Sequence, residues 1–247
     1  MIDFYKLISP QKTLGRLLQS AFKLLPTRTV IPILQGPGRG LKWRIGSGNH
    51  GYWLGSYVVD VQRYMAEALE TGNVYYDIGA SAGFFSLIAS RLVGDSGRVY
   101  SFEPNKVAIQ DLQNHVYLNR LSNIEVIEGA VGSETGGLSL KEDGEYGTAS
   151  RLSPGGDYEV QVSTLDDLVF SEGKRPPDLI KMNVEGAEVE VLAGAVRLLA
   201  KHGPRLIIFT HGETLKQNCE SFLRELGYSC DAPRNSYSYI LFADRAS

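Results

Sequence analysis

Residues 74–103 read VYYDIGASAGFFSLIASRLVGDSGRVYSFE, and this stretch decides the fold. It opens with a short apolar run, residues 74–78, which is typical of a buried strand. A turn of small residues, 79–83, leads into a helical pattern at residues 84–93, and a second apolar run ends in the acidic Glu103. Strand, glycine turn, helix, strand and acid form the layout of a nucleotide-binding βαβ unit.

The same alternation of strand and helix patterns continues along the chain. Further helices are predicted at residues 58–70, 106–118, 189–200 and 213–226. Further strands are predicted at residues 124–127, 136–140, 158–163, 178–184, 205–210 and 238–242. This order predicts an α/β fold, in which an open and mostly parallel sheet carries helices on both faces. Ligands of such sheets bind beyond the carboxyl ends of the strands.

Three local features of this pattern are specific enough to check. The helix at 106–118 is predicted to bury Val107 and Leu112 on its inner face. Thr164 is predicted to cap a short helix that contains Asp166 and Asp167. The polar, glycine-rich loop at residues 143–157 is expected to be mobile.

Composition is that of a soluble globular protein, with 43% hydrophobic and 21% charged residues. No apolar run reaches the roughly 18 residues that a membrane-spanning helix needs, and the N-terminus lacks the pattern of a signal peptide. Cys219 and Cys230 lack the spacing of metal ligands, so no metal site is predicted. A reducing compartment, the cytoplasm, is expected.

Residues 1–44 carry eight basic side chains and one acidic one. Within them, residues 10–25 have the periodicity of an amphipathic helix. We therefore predict a basic N-terminal arm at residues 1–50 and one domain at residues 51–247. Such an arm either docks on an acidic surface of its own protein or contacts a membrane surface or a phosphate-bearing partner, and no nucleic-acid partner is expected.

The glycine turn discriminates between two classes of cofactor. Gly79 and Gly83 give the spacing G-x-x-x-G, and Ser81 stands where a dinucleotide fingerprint has its second glycine. A pyrophosphate would lose its close backbone contact at Ser81, which disfavours NAD. S-adenosyl-L-methionine has no phosphate; it needs a narrow turn and an acid for its ribose, which Glu103 supplies. Asp77 either orders the turn or meets the ammonium group of the ligand.

Several motifs together resemble the FkbM-type S-adenosylmethionine-dependent methyltransferases. They are DIGASAGFF at residues 77–85, FEPN at 102–105, TLDD at 164–167, IKMNVEGAE at 180–188 and LAGA at 192–195. The segment WLGSY at 53–57 also looks like the element before the family's core, so the resemblance covers about residues 50–230. It implies a Rossmann-like class I methyltransferase fold of seven strands, the last antiparallel, at residues 51–247. It also implies O-methylation of a sugar, glycolipid or other natural product.

Four positions depart from the family pattern. Ser81 replaces the usual Asn, Asn183 the usual Asp, Phe209 the usual Glu, and Val58 a common Glu. The last three changes would remove carboxylates from the cleft side of the sheet. A non-catalytic S-adenosylmethionine-binding module is therefore kept as an alternative, and an NAD-dependent oxidoreductase as a weaker one.

The candidate site residues follow from the strand ends. Cofactor contacts are expected from the turn, the ends of the second and third strands, and the strand at 178–184; they are Asp77, Gly79, Ala80, Ser81, Gly83, Glu103, Pro104, Asn105, Gly129, Ala130 and Asn183. The candidate bases are His211 and Glu185, because an imidazole or carboxylate can accept the proton of an acceptor hydroxyl. Asn183 can orient that hydroxyl or hold the methionine part of the cofactor. Each has a structural alternative: His211 can bond a loop, and Glu185 can cap a helix.

Overall fold

The computed structural model describes residues 26–141, 151–152, 156–231 and 239–245. The predicted helix at 10–25 lies outside these residues, as does most of the loop at 143–157. The predicted arm is therefore seen only from residue 26 onward.

Within the described ranges, thirteen strands follow one another along the chain. They are β1 Val30–Pro32, β2 Lys42–Arg44, β3 Val74–Ile78, β4 Arg98–Glu103, β5 Ile124–Glu128, β6 Ala130–Val131, β7 Gly136–Lys141, β8 Arg151–Leu152, β9 Tyr158–Ser163, β10 Leu179–Met182, β11 Arg205–Phe209, β12 Tyr228–Asp231 and β13 Ile240–Arg245.

The same ranges contain eight helices. They are α1 His50–Leu54, α2 Val59–Ala68, α3 Phe84–Val93, α4 Lys106–Asn119, α5 Leu165–Phe170, α6 Glu188–Ala193, α7 Val196–His202 and α8 Glu213–Glu225. Thr164 caps α5 as predicted, since its hydroxyl accepts the N–H of Asp167 at 2.9 Å.

Seven of the strands form one sheet in the order β12-β13-β11-β10-β3-β4-β5. The pairs from β11 to β5 are parallel, and β13 runs antiparallel to both of its neighbours. This is the Rossmann-like arrangement predicted from the sequence, including the antiparallel last strand. The chain leaves β3 toward β4 and later returns to β10 on the other side of β3. A crevice therefore opens at the carboxyl ends of β3 and β10.

The central strands are buried along their whole length because helices cover both faces of the sheet. Every residue of β3 and of β10 is buried. One core contains Tyr75 together with side chains of α2 and α3. The other contains Tyr76 together with side chains of α5, α6, α7 and α8. Alternate residues of β3 thus anchor opposite layers.

A second sheet, in the order β6-β9-β7-β8, lies between β5 and β10 in the sequence. Only the strands at β7 and β9 were predicted for it. The two-residue strands β6 and β8 are too short to give a periodic pattern, and they are defined by their pairing with β9 and β7.

The β1–β2 hairpin packs on the core that contains Tyr75. Trp43 of β2 has no exposed surface, and its ring stacks on His115 of α4 with centroids 3.9 Å apart. His115 also accepts the backbone N–H of Arg44 through Nε2 at 3.0 Å, and its Nδ1 lies 2.9 Å from the carbonyl of Ala82. One imidazole thus joins the hairpin, α4 and the turn before α3.

Two local predictions were wrong. The single helix predicted at 189–200 is divided into α6 and α7 at Gly194, where a Cβ would lie 2.0 Å from the carbonyl oxygen of Gly132. That close approach of two backbones needs glycine and interrupts the helix. Val107 is 50% exposed rather than inward, because the first turn of α4 faces an open cleft.

Candidate active site

A cleft of about 820 Å³ opens at the carboxyl ends of β3, β4 and β10. This volume is within the range of roughly 300–1,000 Å³ that is usual for small-molecule sites. Its walls come from the turn after β3, the ends of β4 and β5, the start of β7, the segment after β10, and residues 47–57. The cleft lies where the topology places a ligand.

The turn at residues 79–83, called the cofactor turn below, needs both of its glycines. Gly79 has φ +70°, and a Cβ there would lie 2.0 Å from the carbonyl oxygen of Asn183. Gly83 has φ +90°, and a Cβ there would lie 2.2 Å from Leu112. Neither position tolerates a side chain. The backbone of the turn therefore lies directly against the segment after β10, and Gly79 contributes to the cleft wall.

Glu103 holds the cofactor turn from the end of β4. It is 7% exposed, and it accepts the N–H of Ser81 at 2.7 Å and the N–H of Asn105 at 2.9 Å. Burial raises the pKa of Glu103, while the two amides and Lys181 oppose that shift. The carboxylate also lines the cleft, and its remaining acceptor capacity suits a pair of ribose hydroxyls.

Ser81 adopts the left-handed conformation with φ +49°, which residues other than glycine rarely enter. Its N–H bond to Glu103 stabilises that conformation. Ser81 lines the cleft, so this departure from the family pattern lies at the cofactor wall.

Asp77 lies beneath the cofactor turn and is not among the cleft-lining residues. It has no exposed surface, and it is paired with Lys181 Nζ at 2.9 Å and accepts the hydroxyl of Ser86 at 2.6 Å. Lys181 also donates to the carbonyl of Gly79 at 2.8 Å. Of the two roles considered for Asp77, the geometry supports ordering of the turn.

Lys181 is one residue of the site that sequence reasoning missed. It is a lysine within the buried strand β10, opposite Asp77 in the neighbouring strand. A charge inside an apolar strand run is the signal that could have revealed it, because such a charge requires a buried partner.

The other predicted cofactor residues divide into two groups. Pro104, Gly129, Ala130 and Asn183 line the cleft. Ala80 faces a side cavity of about 30 Å³, and Asn105 is the cap of α4, where its side chain accepts the N–H of Ala108 at 2.9 Å.

The three predicted catalytic residues are brought together by the structure. His211 Nε2 lies 3.0 Å from Asn183 Oδ1, and His211 Nδ1 lies 3.6 Å from Glu185 Oε2. Asn183 and Glu185 line the cleft. The His211 side chain is 39% exposed and lies behind them. Sequence did not predict the fourth member of this cluster, Glu188, whose Oε1 lies 3.8 Å from His211 Nε2.

A polar and aromatic wall from the N-terminal side of the chain completes the cleft. It consists of Ser47, Gly48, Asn49, Tyr52 and Tyr57. The rings of Tyr52 and Tyr57 have centroids 4.7 Å apart. Phe84 contacts Tyr52 in the core, with ring centroids 4.9 Å apart.

The walls are fixed by an ion pair that sequence reasoning also missed. Arg44 pairs with Asp111, a residue of α4 that lines the cleft. The Nε of Arg44 also donates to the Ser47 hydroxyl at 3.1 Å. The loop between β2 and α1 is therefore held against α4.

Comparison with known proteins agrees with this geometry. Residues 77–230, more than half of the chain, match the family description "Methyltransferase FkbM domain". The chain belongs to the FkbM methyltransferase family. This membership confirms the predicted family, the Rossmann-like fold and the predicted class of S-adenosylmethionine-dependent methyltransferase.

Relatives of this FkbM-family protein include the hexuronic acid methyltransferase AglP of Haloferax volcanii. It is 28% identical over 141 residues, 57% of each chain. The methyltransferase sdnD of Sordaria araneosa is 26% identical over 152 residues, 48% of this chain and 58% of that protein. The match thus spans less than two thirds of either relative's length.

Solved structures share the fold. The crystal structure of methyltransferase FkbM from Methylobacillus flagellatus has a TM-score of 0.53 at 19% identity, covering 98% of this chain and 60% of that one. The ribosomal protein L11 methylase of Lactobacillus delbrueckii subsp. bulgaricus has a TM-score of 0.51 at 14% identity, covering 81% of both chains.

The cleft of the FkbM-family chain fits S-adenosylmethionine. The backbone cradle at Gly79 has no room for a Cβ, and the Glu103 carboxylate faces the cleft for the ribose hydroxyls. Among the described residues that line the cleft, every Asp, Glu, Lys, Arg or His is an Asp or Glu, which favours a ligand with sulfonium and ammonium charges.

Two of the departures from the family pattern do not affect the described cleft. Phe209 packs against Phe85, with ring centroids 5.9 Å apart, and Val58 is buried in the same core. Neither residue lines the cleft. The expectation that both changes strip carboxylates from the cleft was therefore wrong. Of the three positions expected to have lost a carboxylate, Asn183 is the one that lines the cleft.

The described residues lack two other kinds of feature. No group of three or more potential side-chain ligands there could hold a metal ion. None of the described helices combines the length and the apolar character needed to cross a membrane.

Proposed function

We propose that this protein transfers a methyl group from S-adenosylmethionine to a hydroxyl oxygen of a sugar, glycolipid or other natural product. The observation that supports the proposal is the cluster of Asn183, Glu185 and His211 beside the cofactor turn, of which Asn183 and Glu185 line the cleft together with Glu103. Hydroxyl methylation needs a proton acceptor next to an activated donor, and this cluster supplies one.

The cofactor would be held by residues of the described walls. Glu103 would accept the ribose hydroxyls, the backbone of the cofactor turn would lie under the methionine part, and Gly129 and Ala130 would lie near the adenine. When bound, S-adenosylmethionine supplies an already activated methyl group on a sulfonium. Much of the rate enhancement can then come from alignment of the acceptor.

The residues after β10 and β11 would handle the acceptor. Asn183 can bond the hydroxyl and orient it, because an amide offers both a donor and an acceptor. Glu185 or His211 would accept the hydroxyl proton. His211 is part-exposed and can release the proton to water, whereas Glu185 faces the cleft.

The charge of the cleft bears on the acceptor class. Among the described residues, five carboxylates line the cleft, and no lysine or arginine does. Arg44 neutralises Asp111, which leaves Glu134, Glu185 and Glu190 beside Glu103. An acidic sugar would meet repulsion on the order of 1 kcal/mol per nearby carboxylate. Although AglP is named for a hexuronic acid, this cleft favours an uncharged hydroxyl compound.

The test begins with the cofactor and proceeds to the acceptor. Calorimetry should show binding of S-adenosylmethionine and S-adenosylhomocysteine. Release of S-adenosylhomocysteine is then measured with methyl hexosides and the corresponding methyl hexuronides. Turnover of hydroxyl compounds that is lost in both Glu185→Gln and His211→Gln supports the proposal. Full activity in both variants would refute the role of the cluster, and a preference for the uronides would refute the acceptor class.

A second candidate is a cofactor-binding module without transfer. Asn183 is the specific observation that favours it, because an amide at this cleft-lining position cannot take a proton where the family usually has an Asp. Release of S-adenosylhomocysteine in the presence of any hydroxyl acceptor would exclude this candidate. Membership in a methyltransferase family leaves the NAD-dependent alternative without support.

The partners predicted from the sequence stay proposals. A small-molecule or glycan acceptor is proposed, with no nucleic acid, and a peripheral membrane contact through the basic residues of the arm. Replacing Lys6, Lys12, Arg16 and Lys23 with Ser should reduce binding to anionic vesicles if the arm contacts membranes. Equal vesicle binding would favour docking on the protein instead.

A further inference from the structure

Glu188, at the start of α6, is a carboxylic acid with no exposed surface that the proposed chemistry does not use. It lies behind residues 183–187, which are called the strap below. Its Oε2 is buried without a hydrogen-bond partner among the described residues. Burying a carboxyl oxygen without a hydrogen-bond partner costs folding free energy. A function of this carboxyl in the site would explain why the protein bears that cost.

The carboxyl of Glu188 holds the strap on both sides of Glu185. Its Oε1 accepts the N–H of Val184 at 3.3 Å and the N–H of Gly186 at 3.4 Å. Between these two amides, Glu185 is held at φ +52° and Gly186 follows at φ +108°. Two consecutive residues in the left-handed region form a conformation that needs support, and the Glu188 oxygen supplies it.

The strap is in contact with both halves of the site. The carbonyl oxygen of Asn183 fills the space beside Gly79, so the strap lies directly on the cofactor turn. The side chains of Asn183 and Glu185 line the cleft. A displacement of the strap would therefore move the cofactor wall and the acceptor groups together.

Glu188 also faces the candidate base. His211 Nε2 lies 3.8 Å from Glu188 Oε1 and 3.0 Å from Asn183 Oδ1. The same buried carboxyl therefore contacts the strap and borders the imidazole behind it. Burial raises the pKa of Glu188, and the backbone N–H of Glu188 itself, the two strap amides and His211 oppose that shift.

We infer that Glu188 is a positioning residue, which fixes the strap so that Asn183 and Glu185 face the cleft against the cofactor turn. The link to methyl transfer rests on the proposed function. A simpler role, as a cap of α6, would affect the stability of the protein but leave cofactor affinity and the strap amides unchanged.

The experiment compares Glu188→Gln, Glu188→Asp and Glu188→Ala with a control, Leu192→Ala. Leu192 is fully buried in the same helix and does not line the cleft, so its truncation lowers stability without removing a strap bond. Two quantities are measured. They are the Kd of S-adenosylhomocysteine by calorimetry and the hydrogen exchange of the Val184 and Gly186 amides by NMR.

Glu188→Ala and Glu188→Asp should weaken binding by at least tenfold and speed exchange of both amides by at least tenfold. Asp is included because it is too short to reach the strap, and it decides the matter if the Ala variant does not fold. Glu188→Gln should stay within threefold in both measurements, because its amide oxygen can accept the same two N–H groups. Leu192→Ala should melt at a lower temperature but bind within threefold of the wild type.

Unchanged exchange in Glu188→Ala or Glu188→Asp, or equal losses in Leu192→Ala, would overturn the inference. Failure of the wild-type protein to bind S-adenosylhomocysteine would instead refute the proposed function. The exchange rates would still decide whether Glu188 holds the strap.

Discussion

The imidazole of His115 should make the stability of this protein depend on pH between 4 and 6.5. Its side chain has no exposed surface, and burial lowers its pKa from 6.5 to about 4. The hydrogen bonds explain why the neutral form is required. Nε2 accepts the N–H of Arg44, so the ring proton is on Nδ1 and is donated to the carbonyl of Ala82. Protonation of Nε2 would place its new N–H directly against the backbone N–H of Arg44.

The sign and the size of the effect follow from these two pKa values. Because the folded-state pKa is lower than the unfolded one, the unfolded chain binds more protons between pH 6.5 and pH 4. Stability is therefore complete above pH 6.5 and is lost as the pH falls toward 4. Each pKa unit corresponds to about 1.4 kcal/mol, so the loss is about 2 kcal/mol at pH 5 and about 3 kcal/mol near pH 4.

The assay is urea unfolding of the wild type and of His115→Gln at pH 7.5, 6.5, 5.5 and 5.0. The variant loses a constant amount of stability, since Gln cannot reproduce the stacking on Trp43. Its free energy of unfolding should nevertheless fall by about 2 kcal/mol less than that of the wild type between pH 7.5 and pH 5. Other titrating groups, such as Glu103, are present in both proteins and cancel in the comparison.

Two results would refute this reasoning. One is an equal fall in the free energy of unfolding for both proteins. The other is an NMR titration in which the His115 ring protons shift near pH 6.5 in the folded wild type. The second measurement needs no variant, so it remains decisive if His115→Gln is too unstable to study.

Three further predictions concern the cofactor turn and its supports. Gly79→Ala should lose S-adenosylhomocysteine binding and about 1–3 kcal/mol of stability, measured in thermal scans. The control Gly136→Ala should unfold like the wild type, because a Cβ at that position meets nothing within 4 Å. Lys181→Met should lower the free energy of unfolding in urea by about 3–5 kcal/mol, because it leaves Asp77 charged and unpaired. Adding Asp77→Asn should restore part of the lost stability. Losses that simply add in the double variant would contradict the pairing. Glu103→Ala should weaken S-adenosylhomocysteine binding at least tenfold in calorimetry, since the ribose acceptor and the bond to the turn are lost together, and unaltered affinity would show that the ribose assignment is wrong.

The parts of the site that sequence predicted are those encoded within a short segment. The turn between Gly79 and Gly83 and the acid Glu103 are close in sequence, so their pattern could be read directly. Their geometry also follows from local backbone constraints, because the positive φ of the glycines belongs to the turn itself.

The parts that sequence missed depend on distant partners. Lys181 pairs with Asp77 across two neighbouring strands, and the register of those strands is visible only in the folded sheet. The same is true of Gly194, which interrupts a periodic helical pattern because the backbone at Gly132 approaches it. Periodicity identifies a buried face, but it does not identify what that face meets.

The loop between β2 and α1 has a consequence for dividing or recombining this protein. The family match begins at residue 77, yet Ser47, Gly48 and Asn49 form one wall of the cleft, and Trp43 is part of the core. A fragment that starts at the family boundary would therefore be both unstable and open on one side. The loop between β2 and α1 is also fixed at both ends, by the Arg44–Asp111 ion pair at one end and by the cap of α1 at Asn49 at the other. Exchanging its sequence between relatives would therefore change one wall of the cleft while leaving the cofactor turn and Glu103 in place.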